Sequence, residues 1–432
     1  MSSAPRKASL LIIFLVVFID LIGFGMVLPL LPIYGQHFAR VKELTTDQVG
    51  VLVGLLMASF SAMQFLFAPM WGRLSDRIGR RPVLLVGLAG SVVFYALFGY
   101  AAATANLVLL FVSRIGAGVA GATISTAQAY IADTTELKDR TKGMALIGAA
   151  FGLGFTFGPM LAYFALWDGS EGLGAGPGYV AAGISAVALV LAWRLLPESL
   201  KKDAAPRARK WFDFPSLRDA LTMPSIGMLL LTSFVCIFSF SAFEATLSLL
   251  IKTLLVGDAE LKSVDLRQTC LVFAYIGILL LVVQGGIVRR VAGRFSEITL
   301  AFSGACIEAV GFLLLIRGSQ QDNWTLVMIA LAVIVSGFAF ITPSLQSLIS
   351  RRSDPAKQGG ILGVAQSVSA LARIGGPYVG VRLLHSESLA AEWGISSITL
   401  PLWFATLMLG VGLLMLLLAG RRGRDFTEAT DA

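Results

Sequence analysis

The stretch MQFLFAPMWGRLSDRIGRRPVLLVGLAGSVVFYALFGY, residues 63–100, decides the fold class. Its charges, Arg73, Asp76, Arg77, Arg80 and Arg81, sit together, and apolar runs lead away from them on both sides, over about 48–71 and 83–103. A run of roughly 20 apolar residues crosses a hydrocarbon core about 30 Å thick. Neither run alternates with period two, and a backbone in lipid must satisfy its own hydrogen bonds, so each reads as a spanning helix rather than a barrel strand. The charged segment is then a short loop between two membrane helices.

Working outward, the same pattern fills the chain. Further spans are expected at about 10–34, 107–132, 143–166, 178–196, 225–250, 268–288, 298–316, 324–349, 360–381 and 398–420. That makes twelve helices in an all-α polytopic membrane protein. Composition agrees: 56% of residues are apolar, 14% are charged, and mean hydropathy is +0.80. A soluble domain of this length needs more surface charge, and spans along the entire chain leave no room for a soluble catalytic domain. Arg6-Lys7 before the first run looks like a signal peptide, but the run is long and lacks a small-residue cleavage site, so an uncleaved first span is expected.

The net charge of +8 is a matter of topology, with no nucleic acid implied. Placing the termini and the 2–3, 4–5, 6–7, 8–9 and 10–11 connections on one side gathers 25 of the 34 Lys and Arg there; seven lie opposite, and Arg114 and Arg373 lie within spans. The basic side is cytoplasmic, so both termini are expected inside, in a cell membrane. Cys236, Cys270 and Cys306 fall in apolar runs as small hydrophobes, and His37 and His385 lie in or beside loops, so no metal site or nucleophile triad is expected. No enzyme activity follows from this set, and a monomer is the expected working unit.

The longest polar stretch, 197–223, divides the spans six and six. Residues 1–196 form an N-terminal bundle, 197–223 a cytoplasmic linker with Trp211, Phe212 and Phe214 suggesting an interfacial helix, and 224–432 a C-terminal bundle with a short tail. An internal repeat supports the division. Gln128 and Gln346 are 218 residues apart, as are Gly158-Pro159 and Gly376-Pro377, and GRLSDRIGR at 72–80 has a degenerate counterpart, GIVRRVAGR, at 286–294. Two related six-helix halves with the substrate site between them are a known transporter plan.

These motifs carry a specific resemblance along the chain to the major facilitator superfamily, and within it to drug:proton antiporters of the tetracycline-efflux type. GRLSDRIGRRPVLL at 72–85 resembles the superfamily's loop motif, LFVSRIGAGVAGA at 110–122 the fourth-span arginine motif, and GLGFTFGP at 152–159 the fifth-span antiporter motif. FIDLIGFGMVLPLLP at 18–32 resembles the exporters' first span, and PSLQSLISRR at 343–352 with QGGILG and GGP their tenth and eleventh. The resemblance implies two pseudo-symmetric bundles and alternating access by rocking.

The loop residues Gly72, Asp76, Arg77, Gly79, Arg80 and Arg81 read as a conformational latch. The glycines let helices turn and approach, Asp76 suits a neighbouring helix N-terminus, and the arginines pair with it or with anionic headgroups. The second-half counterpart has Arg290 where the acid should be, so only the first latch is expected complete. Intramembrane charge carries the functional expectation, since one such group costs about 2.5–3.5 kcal/mol on insertion scales. Asp20, Arg114, Glu244, Glu308 and Arg373 are placed there, and two arginines cannot match three acids. A carboxylate that passes between apolar and arginine-flanked surroundings exchanges a proton. Asp20 with Arg114 is the leading pair, which the resemblance supports; Glu308 stands where tetracycline exporters carry an aspartate, and Glu244 has no counterpart there. Gln64, Gln128, Gln346, Gln366, Phe240 and Arg373 are substrate candidates, each weighed against helix–helix glue or lipid contact. Gly154, Gly158, Pro159, Gly376 and Pro377 are expected to shape helix packing and kinks.

Two departures stand out. Leu280 occupies the place of the exporters' eighth-span histidine, and Met160-Leu161-Ala162-Tyr163 replaces a glycine pair after Pro159, which argues against close packing there. The reading is therefore a proton-coupled antiporter of small amphipathic compounds, driven by the proton gradient without a cofactor. A symporter or facilitator of a sugar or metabolite, and a non-transporting receptor or scaffold, are the alternatives.

Overall fold

The computed structural model describes residues 3–135, 140–166, 174–200, 218, 222–257, 263–291, 293–353 and 358–422. The helices, in chain order, are α1 (Ser3–Val27), α2 (Leu31–Val41), α3 (Thr46–Ile78), α4 (Arg80–Ala103), α5 (Leu107–Gly121), α6 (Ile124–Thr134), α7 (Arg140–Ala165) and α8 (Gly176–Leu195). There follow α9 (Pro224–Val256), α10 (Ser263–Val282), α11 (Arg289–Val291), α12 (Glu297–Gln320), α13 (Trp324–Arg352), α14 (Gln358–Leu384), α15 (Glu387–Trp393) and α16 (Leu400–Arg422). Most of the expected linker, with Trp211, Phe212 and Phe214, lies outside the described residues.

Among the described residues, eleven segments are long and apolar enough to cross a membrane. The twelfth expected span is present as α14, a 27-residue helix. It misses the apolarity of the others because Gln366, Ser367, Ser369, Arg373 and the Gly375-Gly376-Pro377 run interrupt it. The first span is α1 and α2 joined at Leu28–Leu30, where Pro29 brings no backbone N–H to continue the ladder. The fourth is α5 and α6, broken at Ala122–Thr123. The eighth passes from α10 through a π-helical turn, Val283–Val288, built around Gly285-Gly286. The seventh and eighth reach farther than expected, to Val256 and back to Ser263, which brings Lys252 and Arg267 into helices.

The chain forms two compact units. One contains residues 1–43, 59–212 and 251–277; the other contains 44–58, 213–250 and 278–432. In the first, α1 packs on α7 and α8, and α4 on α5 and α8. Gly25 of α1 meets Gly154 and Gly158 of α7 with no room for a Cβ on any of the three, so the backbones touch. Close packing is thus present at the fifth-span motif, made by the glycines before Pro159. Gly148 and Gly152 have open space and take no part in it. In the second unit α12 packs on α13 and α16, and Gly376 and Gly380 of α14 sit against the α9 backbone at Phe238–Ala242.

The repeat extends into backbone detail. Asn106 caps α5 by accepting from Leu109 N, and Asn323 caps α13 by accepting from Leu326 N, both at 3.1 Å. The residue before each cap has positive φ, 47° at Ala105 and 48° at Asp322. Gly79 and Gly293, equivalent in the two loop motifs, both have positive φ, 108° and 85°. Gly158 and Gly376 serve equivalent crossings.

Candidate functional site

The loop motif is organised around Arg80, the first residue of α4, whose side chain is 8% exposed. Its guanidinium meets Asp76 Oδ1 at 2.6 Å and Asp133 Oδ2 at 3.1 Å, and donates to Ser75 Oγ at 2.6 Å. Glu198, just past α8, accepts from the backbone N–H of Arg80 at 2.9 Å and of Arg81 at 3.1 Å. Asp76 was expected to serve a helix N-terminus; Glu198 does so, and Asp76 binds the Arg80 side chain instead. The dipole of α4 favours a carboxylate at that end. Gly79 lies at φ 108°, ψ 156°, a region kept for glycine, and a Cβ there would strike the Glu198 carboxylate. Arg81 donates to Trp193 O at 2.5 Å, and Arg77 is exposed. Gly72 is buried, its carbonyl accepting from Ser75 Oγ.

The second unit holds an equivalent contact of opposite polarity. Arg351, 218 residues after Asp133, meets Glu297 Oε1 at 2.7 Å, and Ser347 donates to the same oxygen at 3.3 Å. An ion pair between the start of the ninth span and the end of the tenth thus stands where Arg80 and Asp133 join the third and fourth. Arg290, the basic replacement noted in the sequence, is exposed and lies outside this pair.

Inside the first unit, Asp20 of α1 lines a small pocket with Val16, Val17, Leu21, Leu84, Leu88, Thr123, Ile124 and Ala127. Ser91 of α4 is its hydrogen-bonding neighbour, while Oδ1 is buried with no partner. Arg114 of α5 is 2% exposed, its guanidinium 4.5 Å from the Phe60 ring centroid and 6.0 Å from that of Phe24. Among the described residues no ion pair joins Asp20 to Arg114. Tyr95 of α4 is in electrostatic range of both and packs its ring against Gly23. Tyr95 escaped the sequence reading because that reading weighed charges, glutamines and phenylalanines; a tyrosine amid the apolar 83–103 run was the signal.

In the second unit Glu308 is fully buried, both carboxylate oxygens without a hydrogen-bond partner, and its backbone and Cβ lie against Gly337 of α13. Glu244 and Arg373 are in electrostatic range of each other. Phe240, one turn before Glu244, stacks on Phe338 with centroids 3.7 Å apart. The glutamines divide. Gln64 donates to Gly121 O at 3.2 Å and ties α3 to α5, Gln128 is half-buried, and Gln346 and Gln366 are exposed. Two further cations come from the longer helices. Lys252, 9% exposed, donates to Gln36 Oε1 at 2.8 Å, and Arg267 donates to Leu166 O at 2.6 Å beside the Tyr163 ring.

Comparison with known proteins places these features. The profile described as Major Facilitator Superfamily matches residues 13–377. The tetracycline resistance protein, class C, of Escherichia coli is 31% identical over 387 residues, covering 89% of this chain and 91% of its own. Major facilitator superfamily domain-containing protein 10 of Bos taurus is 30% identical over 423 residues and 87% of each chain. The crystal structure of the human organic anion transporter MFSD10 aligns with a TM-score of 0.69 at 26% identity, over 95% of this chain and 99% of that one. A D-xylose-proton symporter aligns at 0.77 with 18% identity, over 96% and 98%, a likeness of fold.

Proposed function

The chain belongs to the major facilitator superfamily, and on that premise we propose that it is a proton-coupled antiporter exporting small amphipathic compounds. One observation carries the reading: the Asp20 carboxylate lines a pocket with one oxygen lacking a partner, and among the described residues no ion pair ties it to the buried Arg114 guanidinium. A carboxylate that can be protonated from a pocket, or drawn toward a buried cation by a small side-chain shift, exchanges protons between two environments. Likeness to tetracycline resistance proteins along most of the chain supports export as the direction. The motif Gly154–Pro159 and the latch around Arg80 support a rocking bundle. In this reading the energy source is the proton gradient, and the basic loops and both termini face the cytoplasm of a cell membrane.

A second substrate class has its own support. Arg373 is exposed in the middle of α14, and a similar human protein is an organic anion transporter, so a substrate with an anionic group fits as well as a cationic one.

The test uses inverted membrane vesicles with a pH-sensitive dye. Candidate compounds are expected to collapse the gradient in wild type and not in Asp20→Asn. Equal responses in the two would remove Asp20 from the mechanism.

A further inference from the structure

The fourth span is broken at Ala122–Thr123, and one face of α3 holds the break. The last carbonyls of a helix have no partner within it, and at membrane depth a break is tolerated where neighbouring side chains supply one. Trp71 Nε1 donates to Val119 O at 2.7 Å, and Gln64 Nε2 donates to Gly121 O at 3.2 Å. Beyond the break, Ser125 Oγ donates back to Ala68 O of α3 at 3.1 Å. Gln64, Ala68 and Trp71 fall at spacings of four and three, on one side of α3. Phe60, one turn earlier on that face, has its ring centroid 4.5 Å from the Arg114 guanidinium. A Cβ on Gly118 would strike Phe60 O, so the two backbones touch there.

The other side of the break faces the Asp20 pocket. Thr123 and Ile124 line it together with Asp20 from α1, and Leu84 and Leu88 line it from α4. Gly87 of α4 has no room for a Cβ against the Thr123 side chain and Ala120 O, so α4 backs the break directly. The buried Asp20 Oδ1, without a hydrogen-bond partner, therefore shares a pocket with a wall whose place depends on where the fourth span bends. Releasing the α5 carbonyls from α3 would let the span straighten and carry that wall away.

We infer that Gln64 and Trp71 are positioning residues for proton exchange at Asp20. By holding the end of α5 they fix the bend that sets the pocket wall, and with it the surroundings that the carboxylate meets. Gln64 thus has a task other than substrate contact, and Trp71 joins it although no charge pattern marks it in the sequence. The inference rests on the reading of Asp20 as the proton site. Glu308, fully buried on α12 of the second unit, lies apart from these contacts and supplies a control.

Dicyclohexylcarbodiimide modifies protonated carboxyl groups in apolar surroundings, so its reaction across a pH series reads protonation without any substrate. The purified full-length protein is labelled in lipid nanodiscs, and modification at Asp20 and at Glu308 is followed peptide by peptide by mass spectrometry. Trp71→Phe removes the indole N–H and keeps a ring, and Gln64→Met keeps the side-chain length and removes the amide. In each variant the Asp20 midpoint is expected to move by about half a pH unit or more from wild type, with the Glu308 midpoint unmoved. The double variant should move it at least as far. An Asp20 midpoint that stays at its wild-type value in both single variants overturns the inference. So does an equal displacement at Asp20 and Glu308, the signature of a general loosening of the fold. No pH-dependent modification of Asp20 in the wild type would sink the proton reading itself and this inference with it, so the two failures are told apart.

Discussion

At the scale of single residues, the sequence located the charges but not what lies between them. Asp20 and Arg114 were legible because each is an ionisable group in an apolar run. Tyr95 is in electrostatic range of both, and its ring packs against Gly23. A phenol hydroxyl can donate to a carboxylate and accept from a guanidinium, so it can relay a change at one to the other. Tyr95→Phe keeps the ring and its burial and removes only the hydroxyl. The expected result is a fall of about tenfold or more in proton-driven accumulation, with substrate affinity near wild type, as a hydrogen bond to a charged group contributes about 1.5–3 kcal/mol. Accumulation in reconstituted vesicles measures it, and an unchanged gradient-driven ratio would leave Tyr95 as packing alone. Gly79 teaches the converse lesson. The loop motif made it conspicuous, but the reason it must be glycine, φ 108° against the Glu198 carboxylate, depends on a residue over a hundred positions away that no local pattern announces.

At the scale of helices and their junctions, apolar length located the long helices, because roughly 20 residues without alternation leave few other structures in lipid. Breaks inside spans were less legible. Pro29 and the Gly285-Gly286 pair are signals for two of them, whereas nothing in the Ala122–Thr123 sequence departs from helical composition. The loop ion pairs show how the repeat is written. Arg80 with Asp133 and Glu297 with Arg351 join equivalent helices with the charges exchanged, which a search for the same residue types in both halves passes over. Their exposure predicts unequal weight. Arg351 is 53% exposed, so Arg351→Glu should lower stability by only about 0.2–1 kcal/mol. Arg80 is 8% exposed and serves two carboxylates, so Arg80→Gln should cost more, about 2 kcal/mol after allowing for the partly exposed Asp133. Thermal unfolding in detergent ranks the two. The double variant Glu297→Arg with Arg351→Glu should recover what Arg351→Glu loses, and failure to recover would deny that the pair acts as a pair.

At the scale of the whole molecule, one helix decides the topology. Among the described residues eleven segments are apolar enough to span on composition alone, and α14 is a long helix that is not. If α14 crosses, the span number is even and the two termini share a side; if it lies outside the bilayer, they are opposed. The basic residues discriminate. Arg351 and Arg352 end α13, and Arg421, Arg422 and Arg424 follow the last apolar run, so a crossing α14 brings both groups to the same side as Arg73, Arg77, Arg80 and Arg81. A non-crossing α14 would divide them. Its packing against α9 through Gly376 and Gly380 also requires it to run alongside a helix that is itself a span. Arg373 and Gln366 are then tolerable at membrane depth because they face protein or a water-filled space. Reporter fusions measure this in cells. Green fluorescent protein at the C-terminus is expected to fluoresce and alkaline phosphatase there to be inactive, with the same pair of results for fusions after Arg81. Active phosphatase at the C-terminus, with fluorescence retained after Arg81, would take α14 out of the membrane.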